Sequence, residues 1–208
     1  MKISEKYADY ILEETKKLLE IDSPSGYTKN VAEYVMEEYH KLGYKADMTV
    51  KGGVLVDLGG EDESNAVMLD THIDTLGGMV SEIKADGNLR IVPIGGLNAN
   101  NTEAENVRVV TRDGKIYTGV FQLDNASVHV NKEYSEKKRS FACMEVLLDE
   151  MVSTKEETRK LGIDVGDIVC FDPRTVITPS GYIKSRFLDD KLSVGILLGF
   201  ARFLKGEG

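Results

Sequence analysis

The sequence predicts an α/β domain interrupted by a small all-β insertion. Three observations lead there. Apolar residues recur at helical spacing at both ends of the chain, over 4–21, over 28–42 and again after Asp190. Three strand-like stretches follow the second helix, and the last of them, AVMLDTH, is nearly all apolar, as suits a central strand covered by helices on both faces. From about residue 75 to residue 172 the texture changes to short alternating strands with glycine turns, which suits a small β-barrel or sandwich.

The elements can be justified in order. Over 4–21, Tyr7, Ile11 and Leu18 share one face with Ala8, Leu12 and Leu19 beside them, and Ser4 is the expected N-cap. DSPSG, Asp22 to Gly26, is a turn-rich breaker. Over 28–42, Val31, Val35, Tyr39 and Leu42 line one face, and Gly43 stands where a helix-ending glycine belongs. Strands are expected in KADMTV, GGVLVDLGG and AVMLDTH. In the middle region, MVSEIKADGNLRIVPIGG reads as a hairpin around Asp86-Gly87, and NVRVVTRDGKIYTGVFQL as another around Asp113-Gly114. A strand around SVHV, a helical stretch over 153–161 and a strand in GDIVCFD complete it. After Pro179-Ser180-Gly181, the residues Leu192, Gly195, Ile196, Gly199 and Phe200 resume helical spacing, so Asp189 and Asp190 sit where a strand or loop enters a helix.

Composition narrows the class. The 208 residues suffice for one large domain or two small ones, since domains run to ~100–150 residues. Hydrophobic residues at 41% and charged residues at 29% are ordinary for a soluble globular chain. No run approaches the ~18 apolar residues of a membrane span, and the charged N-terminus lacks the apolar core of a signal peptide. Cys143 and Cys170 each lie in an apolar run and read as buried core thiols, which makes the cytoplasm the expected compartment. A net charge of −9, from 35 acidic and 26 basic residues, argues against a nucleic-acid partner, which needs a basic face.

The chemistry concentrates in two places. VMLDTHIDTLGGMV runs from an apolar strand into Asp70, His72 and Asp74. This puts an H-x-D pair at the C-terminal end of the expected central strand, the edge at which open α/β sheets bind ligands. A metal-bound imidazole has its second ring nitrogen held by a carboxylate or carbonyl, and Asp74 is placed to supply one. The plainer alternative is a hydrogen-bonded core histidine followed by a turn aspartate. Asp189-Asp190 is the second place. One carboxylate between two cations bridges them in sites whose ions lie about 3.5–4 Å apart; alternatively, both acids simply favour a helix N-terminus. Spacing leaves both pairs open, and says nothing about whether residues 72 and 189 meet. His40 reads as a solvated helix position, His129 as a strand-face residue, and Asp124, Glu145 and Glu150 as solvated acids.

The chain as a whole resembles the tetrahedral aminopeptidase and glutamyl aminopeptidase family of dinuclear metallopeptidases. The opening LLEIDSPSGYTKNVAEYVMEEYHKLGYKADMTVKGGVLVDLGG, then VMLDTHIDTLGGMVSEIKADGNLRIVPIGG, VRVVTRDGKIYTGVF, STKEETRKLGIDVGDIVCFD and SRFLDDKLSVGILL resemble successive blocks of that family in the right order. The resemblance implies a three-layer α/β/α catalytic domain made of residues 1–74 and 173–208, with an inserted β-barrel-like oligomerisation domain over 75–172. It implies that His72 is a ligand of one metal, that Asp189 bridges both metals, and that Asp74 is the catalytic-site carboxylate partnering His72. It further implies a cis peptide between Asp189 and Asp190, two divalent ions (zinc or cobalt), a peptide substrate, and a homo-oligomer built from dimers into a dodecamer, with no membrane partner. Two positions depart from the family pattern: Thr75 stands where an acid is common, and Lys191 where arginine is common. The remaining ligands and the general-base glutamate are expected beyond the helix after Asp189. The chain is therefore expected to be an N-terminal fragment that is inactive alone and binds metal weakly at best, with uncovered apolar faces in VMLD and GILLGF. Two other readings stay open: a truncated non-catalytic homologue serving as an assembly or binding module, and a deacylase or other hydrolase on the same metal framework.

Overall fold

Helical and strand periodicities become, in chain order, α1 (Ile3–Glu20), α2 (Lys29–Lys41), β1 (Ala46–Met48), β2 (Val54–Val56), β3 (Gly77–Ile83), β4 (Leu89–Ile94), β5 (Glu105–Val110), β6 (Ile116–Leu123), β7 (Met144–Leu148), α3 (Lys155–Lys160), β8 (Ile168–Phe171), β9 (Val176–Ile177), β10 (Ile183–Lys184) and α4 (Leu188–Leu204). These come from a computed structural model that describes residues 3–206. The chain divides into two units: one runs to Thr75 and resumes at Pro173, and the other spans Leu76–Asp172. The fold class is thus α/β with an inserted barrel. None of the described helices is long and apolar enough to cross a membrane.

In the first unit, Leu18 of α1, Val31 and Val35 of α2, and Val194, Leu198 and Ala201 of α4 pack into one buried cluster. Each valine or leucine among them contributes about 1.5–3 kcal/mol on full burial. α2 stops at Leu42 because Gly43 turns left-handed (φ 79°) and its N–H reaches His40 O at 2.9 Å. α1 and α4 cross closely where α4 carries glycine. A Cβ on Gly195 would lie 2.2 Å from Thr15 Oγ1, and one on Gly199 would lie 2.4 Å from Ile11 Cγ1. α1 starts at Ile3, so Ser4 lies inside its first turn and is not the N-cap expected from the sequence.

β1 and β2 form an antiparallel pair, with Ala46 opposite Val56, and β9 and β10 form another. The expected central strand AVMLDTH is not part of a sheet. Residues 66–70 have no regular secondary structure and no ladder partner among the described residues. Their apolar side chains are in solvent: Val67 is 84% exposed, Met68 78% and Leu69 53%. The sequence expectation of burial fails here for a physical reason. An apolar strand is buried only when neighbouring strands and helices cover it, and none of the described elements does so. A cleft of about 1150 Å³ lies instead between β2, residues 65–74 and the α2 and α4 side chains Val35, Tyr39, Val194 and Phe200.

The second unit is a closed antiparallel barrel in the order β3-β4-β7-β6-β5-β8. Closure settles the choice between barrel and sandwich. Both expected hairpins form: Ile83 pairs with Leu89 around a turn at Gly87 (φ 87°), and Val110 with Ile116 around Gly114 (φ 82°). Alternation sends Val107, Val109, Phe121 and Phe171 inward, and the rings of Phe121 and Phe171 meet edge to face, 5.6 Å apart. α3 carries a local start signal. Thr154 Oγ1 accepts the Glu157 N–H at 3.3 Å, while Glu157 Oε2 reaches back to the Ser153 N–H at 2.8 Å.

Three expectations for this unit need correction. SVHV is not a strand: Ser127 O accepts the Asn131 N–H at 2.9 Å and closes a turn, leaving Val128 and Val130 exposed. Glu145 is not solvated, because it is buried against Lys84 and accepts Asn88 Nδ2 at 3.0 Å. Cys143 is only half-buried, its thiol donating to Lys138 O at 3.1 Å, whereas Cys170 is buried.

Candidate metal centre

The breaker DSPSG does more than end α1. It lays Ser23–Ser25 alongside Ile73–Thr75 as an isolated parallel bridge, Pro24 opposite Thr75. Thr75 N–H donates to Ser23 O at 2.8 Å, and Ser25 N–H to Thr75 O at 3.2 Å. Buried Ser23 adds its hydroxyl to Ile73 O at 2.9 Å. Ile73 packs against the helical core, and its neighbours His72 and Asp74 line the cleft.

The other half of the site is the entry to α4. Asp189 (φ −84°, ψ 101°) and Asp190 (φ −129°, ψ 23°) are not helical, and the peptide bond between them is cis. Thr71 Oγ1 donates to Asp190 Oδ2 at 2.5 Å and is 3.3 Å from Asp190 O. Burial pushes the Asp190 carboxyl up, but hydrogen bonds from Ser193 and Thr71 and the nearby His72 outweigh it and hold it below the usual carboxylate range. Lys191 is buried, and its ammonium donates to Leu18 O at 2.7 Å and Ile21 O at 2.6 Å, tying the start of α4 to the end of α1.

These two anchors bring together side chains 117 positions apart in the chain: His72 Nε2 lies 3.0 Å from Asp189 Oδ1. On its other side, His72 Nδ1 lies 3.1 Å from Asp74 Oδ1. Partial burial lowers the basicity of the imidazole, but the hydrogen bond to Asp189 and the Asp74 charge outweigh it and raise it above the usual histidine value. Asp189 is held by little else, its side chain being 94% exposed.

The donor set fits a divalent ion in kind. An imidazole nitrogen and a carboxylate oxygen 3.0 Å apart can both reach one ion that binds such atoms at about 2.0–2.2 Å. In number the set stops short, since no group of three or more metal-ligating side chains converges among the described residues. His40 stays apart, its Nε2 3.3 Å from Ala46 O, and His129 is exposed on the inserted unit. Two residues that the sequence did not single out, Ser25 and Thr71, hold the pair, together with Lys191, which the sequence marked only as a departure from the family pattern. Ser25 Oγ donates to Asp74 Oδ2. Periodicity carries no trace of these contacts, because each joins segments tens of residues or more apart.

The profile of the M42 glutamyl aminopeptidase family matches residues 52–208. The Bacillus subtilis protein YhfE is 46% identical over 196 residues, which cover 94% of this chain and 57% of that protein. Among solved structures, an aminopeptidase from the archaeon Desulfurococcus kamchatkensis superposes with a TM-score of 0.83 at 31% identity, over 95% of this chain and 52% of that one. The Pyrococcus horikoshii TET1 peptidase, which can assemble into a tetrahedron or a large octahedral shell, has the same fold over 93% of this chain and 56% of its own, with a TM-score of 0.78 at 24% identity. The chain spans about half the length of each of these relatives.

Proposed function

The chain belongs to the M42 glutamyl aminopeptidase family, and on that premise we propose that its first unit carries the His72–Asp189 part of a two-metal centre releasing N-terminal residues from peptides. The observation that supports this most is the 3.0 Å approach of His72 Nε2 to Asp189 Oδ1. Two divalent ions, zinc or cobalt, would supply carbonyl polarisation and an activated water in such a centre.

The chain's own residues have distinct parts to play. His72 offers the Nε2 lone pair, which is available only while Nδ1 carries the proton. Asp74 accepts that proton's hydrogen bond and so selects the right tautomer. Asp189, with its carboxylate exposed, would be the residue shared by the two ions. Asp190 takes no such part, because its carboxyl is spent on Thr71 and Ser193 and holds Asp189 in place.

A donor count of two leaves each ion short of the roughly three or four protein ligands that retain it. The 208-residue chain is therefore proposed to bind divalent metal weakly and to lack robust peptidase activity on its own. Incubation with unblocked peptides in zinc or cobalt, read by amino-acid release, is expected to match the blank; sustained release abolished by chelator would overturn that reading. The barrel unit, whose fold recurs in a peptidase that assembles into shells, is proposed as the contact through which copies associate. A monomeric mass by sedimentation at micromolar concentration would count against it.

A further inference from the structure

We infer that Ser25 is a positioning residue for the His72–Asp189 pair, acting through Asp74. The inference rests on the metal reading of that pair and adds to it a residue that touches neither ligand.

A half-exposed aspartate has freedom to rotate, and Asp74 serves His72 only when one oxygen faces Nδ1. Asp74 Oδ1 is 3.1 Å from that nitrogen, and Ser25 Oγ donates to the opposite oxygen, Oδ2. The serine can act as a fixed post because its own backbone is fixed. Its N–H donates to Thr75 O at 3.2 Å, and Thr75 N–H returns to Ser23 O at 2.8 Å. Hydroxyl and carboxylate are thus carried by the two sides of one short bridge, Pro24 opposite Thr75.

The consequence falls on the ring tautomer. In a neutral imidazole one nitrogen donates and the other accepts. With Asp74 held by Ser25, the neutral ring favours its proton on Nδ1, which leaves the lone pair on Nε2. With Asp74 free to swing into solvent, the competing tautomer places the proton on Nε2, where Asp189 Oδ1 waits 3.0 Å away to accept it. That form cannot ligate. Removing the Ser25 hydroxyl therefore weakens metal binding without removing any ligand.

The test is a cobalt titration of the 208-residue chain, followed by visible absorption, for the parent, Ser25→Ala, Asp74→Asn, the double variant and Ser25→Thr. Partners that hold a ligand histidine contribute about 10–100-fold in metal affinity, so Ser25→Ala is expected to weaken cobalt binding about tenfold. On the Asp74→Asn background the same change is expected to matter less than about twofold, since the two act as one unit. Ser25→Thr, which keeps the hydroxyl, is expected to restore binding. In the metal-free chain at a pH where the ring is neutral, nitrogen-15 spectra of His72 are expected to move from the Nδ1–H toward the Nε2–H form in Ser25→Ala. Ser25 is exposed, so its replacement leaves the core intact, and circular dichroism checks this. A parent that binds cobalt alongside an unaffected Ser25→Ala, an equal loss on both backgrounds, or an unchanged tautomer overturns the role of Ser25 alone. A parent that binds no cobalt, with His72→Ala identical to it, sinks the metal reading and this inference with it.

Discussion

At the scale of single residues, the buried ammonium of Lys191 does structural work that its charge disguises. It meets Leu18 O at 2.7 Å, a carbonyl in the last turn of α1 that also accepts the Ile21 N–H at 3.2 Å, and Ile21 O at 2.6 Å, just past the helix. Lys191→Met fills a similar volume but withdraws the donor, and a buried polar group left unpaired costs about 1–3 kcal/mol. The urea midpoint is expected to fall by a corresponding amount at unchanged slope, and an unmoved midpoint would show that water replaces the lysine at no cost. On the inserted unit, Arg139 Nε and Nη2 donate to the two oxygens of Glu103 at 2.8 and 3.1 Å. Chiefly through that hydrogen bond, the Glu103 carboxyl lies below its usual 4.5. A depressed carboxyl stabilises the fold above its unfolded pKa, and that stability is lost as pH falls through the folded value. The parent's advantage over Glu103→Gln is thus expected near neutral pH and should shrink below about pH 4.5; a pH-independent difference in melting would refute this.

At the scale of elements, the close crossing of α1 and α4 depends on the absence of side chains. Gly199 faces Ile11, and an added methyl would start 2.4 Å from Ile11 Cγ1 and 2.8 Å from Cδ1. Gly199→Ala raises the intrinsic helix propensity of α4 by about 1 kcal/mol, yet overpacking at a fixed contact costs about 1–3 kcal/mol. The clash should win, with a lower urea midpoint for Gly199→Ala than for the parent, whereas a gain in stability would mean that Ile11 moves aside freely. Helices and hairpins were legible in the sequence because their signals are local. The spacing of Val31, Val35 and Tyr39, the glycine at Gly43 and the Asp-Gly pairs at 86–87 and 113–114 act through residues within a few positions. SVHV misled for the converse reason: four residues of strand-like composition were captured by a turn at Ser127, and the barrel closed without them. Glu145 misled likewise, because its buried partners Lys84 and Asn88 come from the hairpin strand and turn some sixty residues earlier.

At the scale of the whole molecule, the exposed stretch 66–70 dominates expected behaviour in solution. Three consecutive apolar side chains stand in solvent on a stretch with no ladder partner among the described residues, beside a cleft whose walls include Val54, Val194 and Phe200. A contiguous exposed apolar patch promotes association. Val67→Lys with Met68→Lys is expected to reduce light scattering of the chain at high concentration and to leave its circular dichroism unchanged. Equal scattering in parent and variant would place the association elsewhere, the barrel unit being the first alternative. The sequence by itself determined the α/β class with an all-β insertion, the glycine stop of α2 and the identities of the candidate site residues, because periodicity, turn chemistry and the presence of His72, Asp74 and Asp189 are properties of short stretches. Only the tertiary structure decided that residues 72 and 189 meet. The approach of His72 to Asp189 is made by a bridge at Pro24 and Thr75, by the hydroxyl of Thr71 and by a lysine gripping the end of another helix. Each of these is a contact between distant segments, and no local pattern encodes it.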